Sequence, residues 1–172
     1  MSIVLMEMDG LLFCATNPDQ LDVICSIERE NREFVFQWTR ERHMEAIKCE
    51  DEMHISIIDA AANELIGYIL LAGISGEDRS LEFRRMAVAV KGKGYGRAGV
   101  RFIKKFCFEE LKYHRLWLDV YTDNQRAIEL YRSEGFVQEG LLRECKKQGD
   151  KYRSMIIMSM LEDEYEGIKG GC

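Results

Sequence analysis

The stretch VKGKGYGRAGV, residues 90–100, places four glycines and three cations in eleven positions. Glycine opens the backbone N–H groups of a loop to close approach, and the start of a helix adds partial positive charge. The chemistry such a segment serves is the holding of a phosphorylated ligand. Gly94-Tyr95-Gly96-Arg97-Ala98-Gly99 fits G-x-G-x-x-G, the phosphate loop of dinucleotide-binding sheets. Asp119 lies near the end of the next strand pattern, where a carboxylate would meet a ribose. Further on, Asn124 and Tyr131 stand seven residues apart, close to two helical turns, so they share a face.

A first strand pattern covers 2–9. Residues 17–38 open on turn chemistry and continue with helical spacing at Leu21, Ile24 and Cys25; a second helix pattern covers 39–52, with Thr39 as its N-cap. Strands 54–60 and 65–74 flank the turn 61–64, and a further strand covers 80–90. A helix pattern over 96–114, a strand over 115–122 and a short helix over 123–135 follow; Asp123 or Asn124 can cap that short helix and Gly135 can end it. Strands 136–147 and 151–161 join across Gly149-Asp150. This order predicts an α/β fold with a mixed, partly antiparallel sheet. A doubly wound dinucleotide fold needs repeated strand–helix units after the glycine loop, and one short helix is all that remains there. The NAD-binding reading is therefore the remote one.

With 172 residues the chain suits one domain, and 47% hydrophobic residues suffice for one core. A net charge of −6 argues against nucleic acid as a partner, and no apolar run reaches the length of a membrane span. The start lacks a basic segment of signal-peptide type. Six cysteines without C-x-x-C pairing, at 14, 25, 49, 107, 145 and 172, read as reduced thiols of a cytoplasmic protein. The histidines at 43, 54 and 114 are too scattered for a zinc site, so no metal is expected.

The glycine loop also fits Q/R-x-x-G-x-G/A, the pyrophosphate loop of acyl-coenzyme A enzymes, with Lys91 at the first position and Gly94 and Gly96 at the glycine positions. Lysine departs from the pattern there but keeps its charge. Downstream, DNQRAIELYRSEGF resembles the N-x-x-A-x-x-L-Y-x-x-x-G-F segment of the GNAT superfamily of N-acetyltransferases. Together with MAVAVKGKGYGRA this is a two-part resemblance at the family's usual separation, and it covers residues 54–161. The closing EGLLRECKKQGDKYRSMIIMSMLEDEY is similar to the branch of ribosomal-protein N-terminal and spermidine acetyltransferases.

The resemblance implies a single GNAT domain over 1–172, with a mostly antiparallel central sheet, one splayed strand pair and helices on both faces. Within it, 1–53 would form the variable acceptor side, 54–161 the acetyl-CoA-binding core and 162–172 a tail. Met86, Ala87 and Val88 would lie along the pantetheine arm, with backbone N–H, that of Val88 among them, stabilising the oxyanion. Lys91, Gly92, Lys93, Gly94, Tyr95, Gly96, Arg97 and Ala98 would surround the pyrophosphate. Asn124 would hydrogen-bond the pantetheine, and Tyr131 would protonate the leaving thiolate. Acetyl transfer to a primary amine needs that amine neutral, so a base is implied: Glu82, Asp119 or water. The acceptor is open among a protein N-terminus, a polyamine and other small amines. A homodimer is compatible with this reading, and a non-catalytic coenzyme A-binding module is the alternative function. His43, His54 and His114 read as surface or partly buried, and Trp38 and Trp117 as core. Glu28, Glu30, Glu33, Glu41 and Glu45, interleaved with arginines, read as solvated helix faces, with a cation pocket as the alternative.

Overall fold

A computed structural model of the chain describes residues 3–170. Its strands are β1 (Val4–Met8), β2 (Leu11–Ala15), β3 (Glu52–Asp59), β4 (Glu64–Ala72), β5 (Ser80–Val88), β6 (Arg115–Tyr121), β7 (Val137–Gln148) and β8 (Lys151–Leu161). Its helices are α1 (Leu21–Glu30), α2 (Arg40–Lys48), α3 (Tyr95–Lys105), α4 (Gln125–Ser133) and α5 (Glu162–Gly170). The strands form one sheet in the order β1-β2-β3-β4-β5-β6-β8-β7. Every neighbouring pair is antiparallel except β5 and β6, which run parallel over Ser80↔Arg115, Leu81↔Leu116 and Glu82↔Trp117. Beyond Glu82 and Trp117 that ladder ends and the two strands diverge. This is the splayed pair, and it leaves one edge of β5 unpaired in the middle of the sheet.

Alternating residues of the central strands feed two cores. Ile69 and Leu71 of β4 pack with Phe102 and Ile103 of α3 on one face, while Tyr68 and Leu70 pack with Leu21, Ile24 and Ala46 of α1 and α2 on the other. Helices therefore cover both faces, as their apolar stripes require. In β5 the alternation breaks. The register shifts so that Leu70 faces Arg85 and Leu71 faces Phe83, leaving Arg84 as the extra residue of a bulge. Phe83 before the bulge and Met86 after it both join the α3 core, and Arg84 and Arg85 both turn to the α1–α2 side.

Two elements lay outside the sequence reading. The first strand pattern turns at Asp9 (φ 52°) and Gly10 (φ 75°) into β2, whose unbroken apolar run hides its period. Residues 162–170, expected as a tail, form α5, which begins with three acidic residues and stacks Tyr165 on Phe108 at 4.9 Å. Cys172 lies outside the described residues.

Candidate active site

The glycine loop leads into α3 as the sequence pattern requires. Gly92 (φ 87°) and Gly94 (φ 83°) are left-handed, and Gly94 is the N-cap of α3 with no capping side chain. No atom lies within 4 Å of where their Cβ atoms would be, so the backbone angle and not crowding demands glycine, and the space above the loop is open. The N–H groups of the first helical turn have no acceptor within the helix and point out at the loop. Lys91, Lys93, Tyr95, Gly96 and Ala98 flank this turn. Arg97 does not extend over it: its guanidinium bonds Ser133 Oγ at 3.1 Å and the Glu134 carboxylate. Glu134 is buried and also receives Lys104 Nζ at 2.8 Å, with Arg101 at 3.4 Å. Burial pushes its carboxyl up, but hydrogen bonds from Lys104 and Arg97 outweigh that and hold it below the usual range.

A cavity of about 490 Å³ opens where β5 and β6 part. Glu82, Met86, Asp119, Asn124 and Tyr131 all line it, so five of the residues singled out in the sequence meet in one place. Ala87 turns its side chain into the core on the α1–α2 side, and the Val88 carbonyl accepts a bond from Asn31 Nδ2 at 3.1 Å. Asn124 caps α4, accepting from the Ala127 N–H at 3.3 Å. Tyr131 sits edge-on to Phe83 at 5.9 Å and tilted to Phe136 at 5.9 Å, and these rings fix its orientation. Burial, then the charge of Asp119, raises the Tyr131 phenol above its ordinary range, so it keeps its proton.

The two carboxylates differ. Glu82 is tied to Arg84 at 2.6 Å and 3.1 Å, and Arg84 also bonds Glu52. Asp119 forms no side-chain hydrogen bond or ion pair among the described residues. Burial raises its pKa, partly opposed by Lys146, which lies on the cavity wall with Lys147.

The segment between α1 and α2 supplies the far wall with Phe34, Val35, Phe36 and Trp38. Here the structure corrects the sequence reading. Trp38 is half-buried and lines the cavity, its ring held between the guanidinium groups of Arg42 and Arg85, each 4.2 Å from the ring centroid. Glu28 is not on a solvated face but fully buried, as is His43, and His54 is 5% exposed. These residues escaped the sequence because their partners are far along the chain: Tyr68 is 40 residues from Glu28, and Arg85 is 57. Among the described residues no group of three His, Cys, Asp or Glu side chains is arranged to hold a metal ion, and no helix is long and apolar enough to cross a membrane.

The mixed sheet split at β5 and β6, with a glycine loop leading into a helix beside the split, is the architecture of a coenzyme A-dependent acyltransferase and not of a doubly wound dinucleotide fold. Residues 21–136 match the acetyltransferase (GNAT) family, and the chain belongs to it. It is 32% identical over 110 residues to a spermidine N(1)-acetyltransferase of Vibrio cholerae, a match spanning 63% of this chain and 64% of that protein. The structure of a Vibrio cholerae spermidine N-acetyltransferase in complex with CoA and spermine superposes with a TM-score of 0.82 at 26% identity, covering 92% of this chain and 99% of that one. A dodecameric form of the Vibrio cholerae enzyme superposes with a TM-score of 0.78 at 26% identity, covering 92% and 97%.

Proposed function

We propose that this N-acetyltransferase moves the acetyl group of acetyl-CoA to the nitrogen of a small primary amine by direct attack, in the cavity between β5 and β6. The observation that carries this reading is the meeting, in one cavity beside an unpaired strand edge, of a phenol that keeps its proton and a carboxylate free of partners. The residues fit acetyl-CoA: left-handed glycines and the bare first turn of α3 suit the pyrophosphate, and the β5 backbone at Met86 to Val88, apart from the Val88 carbonyl held by Asn31, suits the pantetheine with Asn124. Lys91 and Lys93 supply charge at the loop, while Arg97 is already engaged by Glu134.

Acetyl-CoA supplies the thioester that is cleaved. Asp119 accepts the proton of the incoming ammonium, and its raised pKa moves it toward the value a base needs near neutrality. Tyr131 gives its proton to the departing sulfur. Glu82 serves by holding Arg84, an ion pair at 2.6 Å that occupies its carboxylate. One cavity thus holds an acid and a base whose environments set them apart.

The relatives that act on spermidine support a polyamine as the acceptor. A second reading rests on Lys146 and Lys147 in the cavity wall, which favour an amine that carries an anionic group. The dodecameric relative supports assembly of identical chains beyond a homodimer. Five free thiols among the described residues support a reducing, cytoplasmic setting. The test is release of coenzyme A from acetyl-CoA with spermidine, 1,4-diaminobutane, butylamine and 4-aminobutanoate. Turnover with at least one amine is expected, and its rank order separates the two acceptor readings. Tight binding of acetyl-CoA with no turnover on any amine would instead mark a binding module.

A further inference from the structure

Beneath the acceptor wall lies a continuous chain of buried polar groups whose hydrogen-bond directions can be assigned from one end. Gln20 Oε1 accepts from the Asn17 N–H at 2.9 Å, and a backbone donor at that position fixes the amide oxygen there. The same oxygen accepts from the Ser56 hydroxyl at 2.9 Å, which uses the only proton of Ser56. The Thr16 hydroxyl, 2.9 Å from Ser56 Oγ, must therefore donate to it. With its own proton committed, Thr16 Oγ1 accepts from His54 Nδ1 at 2.9 Å. Burial, then the neighbouring His43, takes the His54 pKa down to about 3, so His54 is neutral and its Nε2 is a bare acceptor. His43 Nδ1, 3.0 Å away, fills it by donating.

One atom remains. His43 Nε2 lies 3.5 Å from Glu28 Oε2 in a region where both side chains are 0–1% exposed. Glu28 already accepts from Tyr68 OH and from Arg85 Nη1 at 2.9 Å on Oε1, and from the Trp38 N–H at 2.8 Å on Oε2. These donors favour the carboxylate. A neutral His43 would set a lone pair against that carboxylate in the dry interior, which nothing compensates. His43 Nε2 has no hydrogen-bond partner among the described residues, and a proton there would instead face that carboxylate across 3.5 Å, with the rings of Trp38 at 5.4 Å and Tyr68 at 5.6 Å beside it.

The upper end of this chain is the cavity wall. Arg85 binds Glu28 through one nitrogen and the Phe36 carbonyl through the other, and its Cζ lies over the Trp38 ring, 4.2 Å from the centroid. Glu28 thus ties the α1–α2 segment to the bulge of β5. Resting on the amine-acetyltransferase reading above, we propose that Glu28, kept ionised by a protonated His43, is the positioning residue that holds Trp38 and Arg85 as the acceptor wall and so sets affinity for the amine. Neither residue touches the reacting atoms. The interaction is unusually costly to build, since two cations and one anion are withdrawn from water, and that cost makes sense at a wall that must not move.

The experiment has two arms. In the wild-type protein labelled with ¹⁵N-histidine, at pH 7, His43 should show both ring nitrogens protonated and His54 one protonated and one bare; His114→Gln removes the exposed histidine's signals. In Glu28→Gln, the KM for whichever amine of the panel turns over fastest should rise about 10–100-fold, the worth of one or two charge-assisted hydrogen bonds. Its kcat and its acetyl-CoA affinity should stay within about twofold, because only binding of the amine is disturbed. Arg85→Lys, which keeps the charge and loses the second bond to Phe36, should raise the same KM by less. A neutral His43, or a Glu28→Gln variant whose KM is unchanged or whose kcat falls in step with KM, overturns the inference. If Glu28→Gln does not fold, the histidine signature and the Arg85→Lys constants decide it. Absence of turnover in the wild-type protein would count against the proposed function instead, and the histidine signature would still be read.

Discussion

Glu134, under the glycine loop, and Asp119, in the cavity at the splay, are both carboxylates withdrawn from water, and their surroundings are opposite. Glu134 closes the gap between α3 and α4 with Lys104, Arg97 and Arg101 around it. Asp119 sits on the open side of β6 with no hydrogen-bonding side chain beside it. One has a lowered pKa and the other a raised one. Where every charge is matched, a buried carboxylate is a structural pin. Where it is left unmatched, the fold keeps a carboxylate of raised pKa at a stability cost, as the proposed base requires, and such groups gather where chemistry is done. The comparison also explains why Arg97, although its place in the loop pattern points to phosphate, faces the other way.

The largest expected effect falls on the cavity side. Tyr131→Phe keeps the ring packed against Phe83 and Phe136 and removes only the hydroxyl, the proposed proton donor. Turnover should fall about 10²–10⁴-fold, in kcat more than in KM, while acetyl-CoA binding survives. Steady-state kinetics under conditions where chemistry limits the rate reads this directly; near-normal kcat removes the acid role from Tyr131.

On the structural side, Glu134→Gln leaves Lys104 buried and uncompensated. Denaturant unfolding at pH 7 should show a loss of about 3–5 kcal/mol, as for a broken buried ion pair. The folded pKa of Glu134 lies below its unfolded value, so its contribution is present above about pH 4.5 and disappears as pH falls through the folded pKa. The deficit of the variant should therefore shrink in acid. An undiminished deficit there would place the effect in packing and not in charge.

Gly94→Val tests the loop that lies between these two regions. Its φ of 83° resists any branched residue, and the space above it is where the diphosphate is proposed to lie. Acetyl-CoA at 100 times its Kd should stabilise the wild-type protein by about 2.7 kcal/mol, and NAD should not. The variant should lose this shift. A shift with NAD alone would return the loop to the dinucleotide reading.

The smallest effect carries the opposite sign. The folded pKa of Asp119 lies above its unfolded value, so ionising it costs stability at neutral pH, and the cost vanishes below about pH 4. Asp119→Asn should raise the melting temperature at pH 7, with each kcal/mol regained appearing as about 2–4 °C in a chain of this length. It should give no gain at acid pH. Destabilisation at pH 7 would mean that Asp119, like Glu134, is pinned by partners.

The legibility of the sequence follows the same division. The glycine loop, the capped α4 with Asn124 and Tyr131, and the closing hairpin carry their signals within a dozen residues each, and the structure places them as read. The cavity wall proposed to meet the acceptor is written in distant contacts. Glu28 sits in an alternation of glutamate and arginine that reads as a solvated helix, and only the fold reveals the inward-facing one. The bulge that turns both Arg84 and Arg85 to one side has no local signature in LEFRRMAV. The different surroundings of Glu82 and Asp119 were likewise unreadable, because Arg84, which holds Glu82, is itself bound by Glu52 from 32 residues away.

The central claim is that the unpaired carboxylate is the base. The direct measurement is kcat/KM against pH for the wild-type protein, Asp119→Asn and Glu82→Gln with the best amine of the panel. Asp119→Asn should lose the acidic limb belonging to the free enzyme's base, and its rate should climb about tenfold per pH unit toward the amine's own pKa, where free amine needs no help. Glu82→Gln should keep the wild-type profile. The reverse assignment, a rising line in Glu82→Gln and an intact limb in Asp119→Asn, would contradict the account.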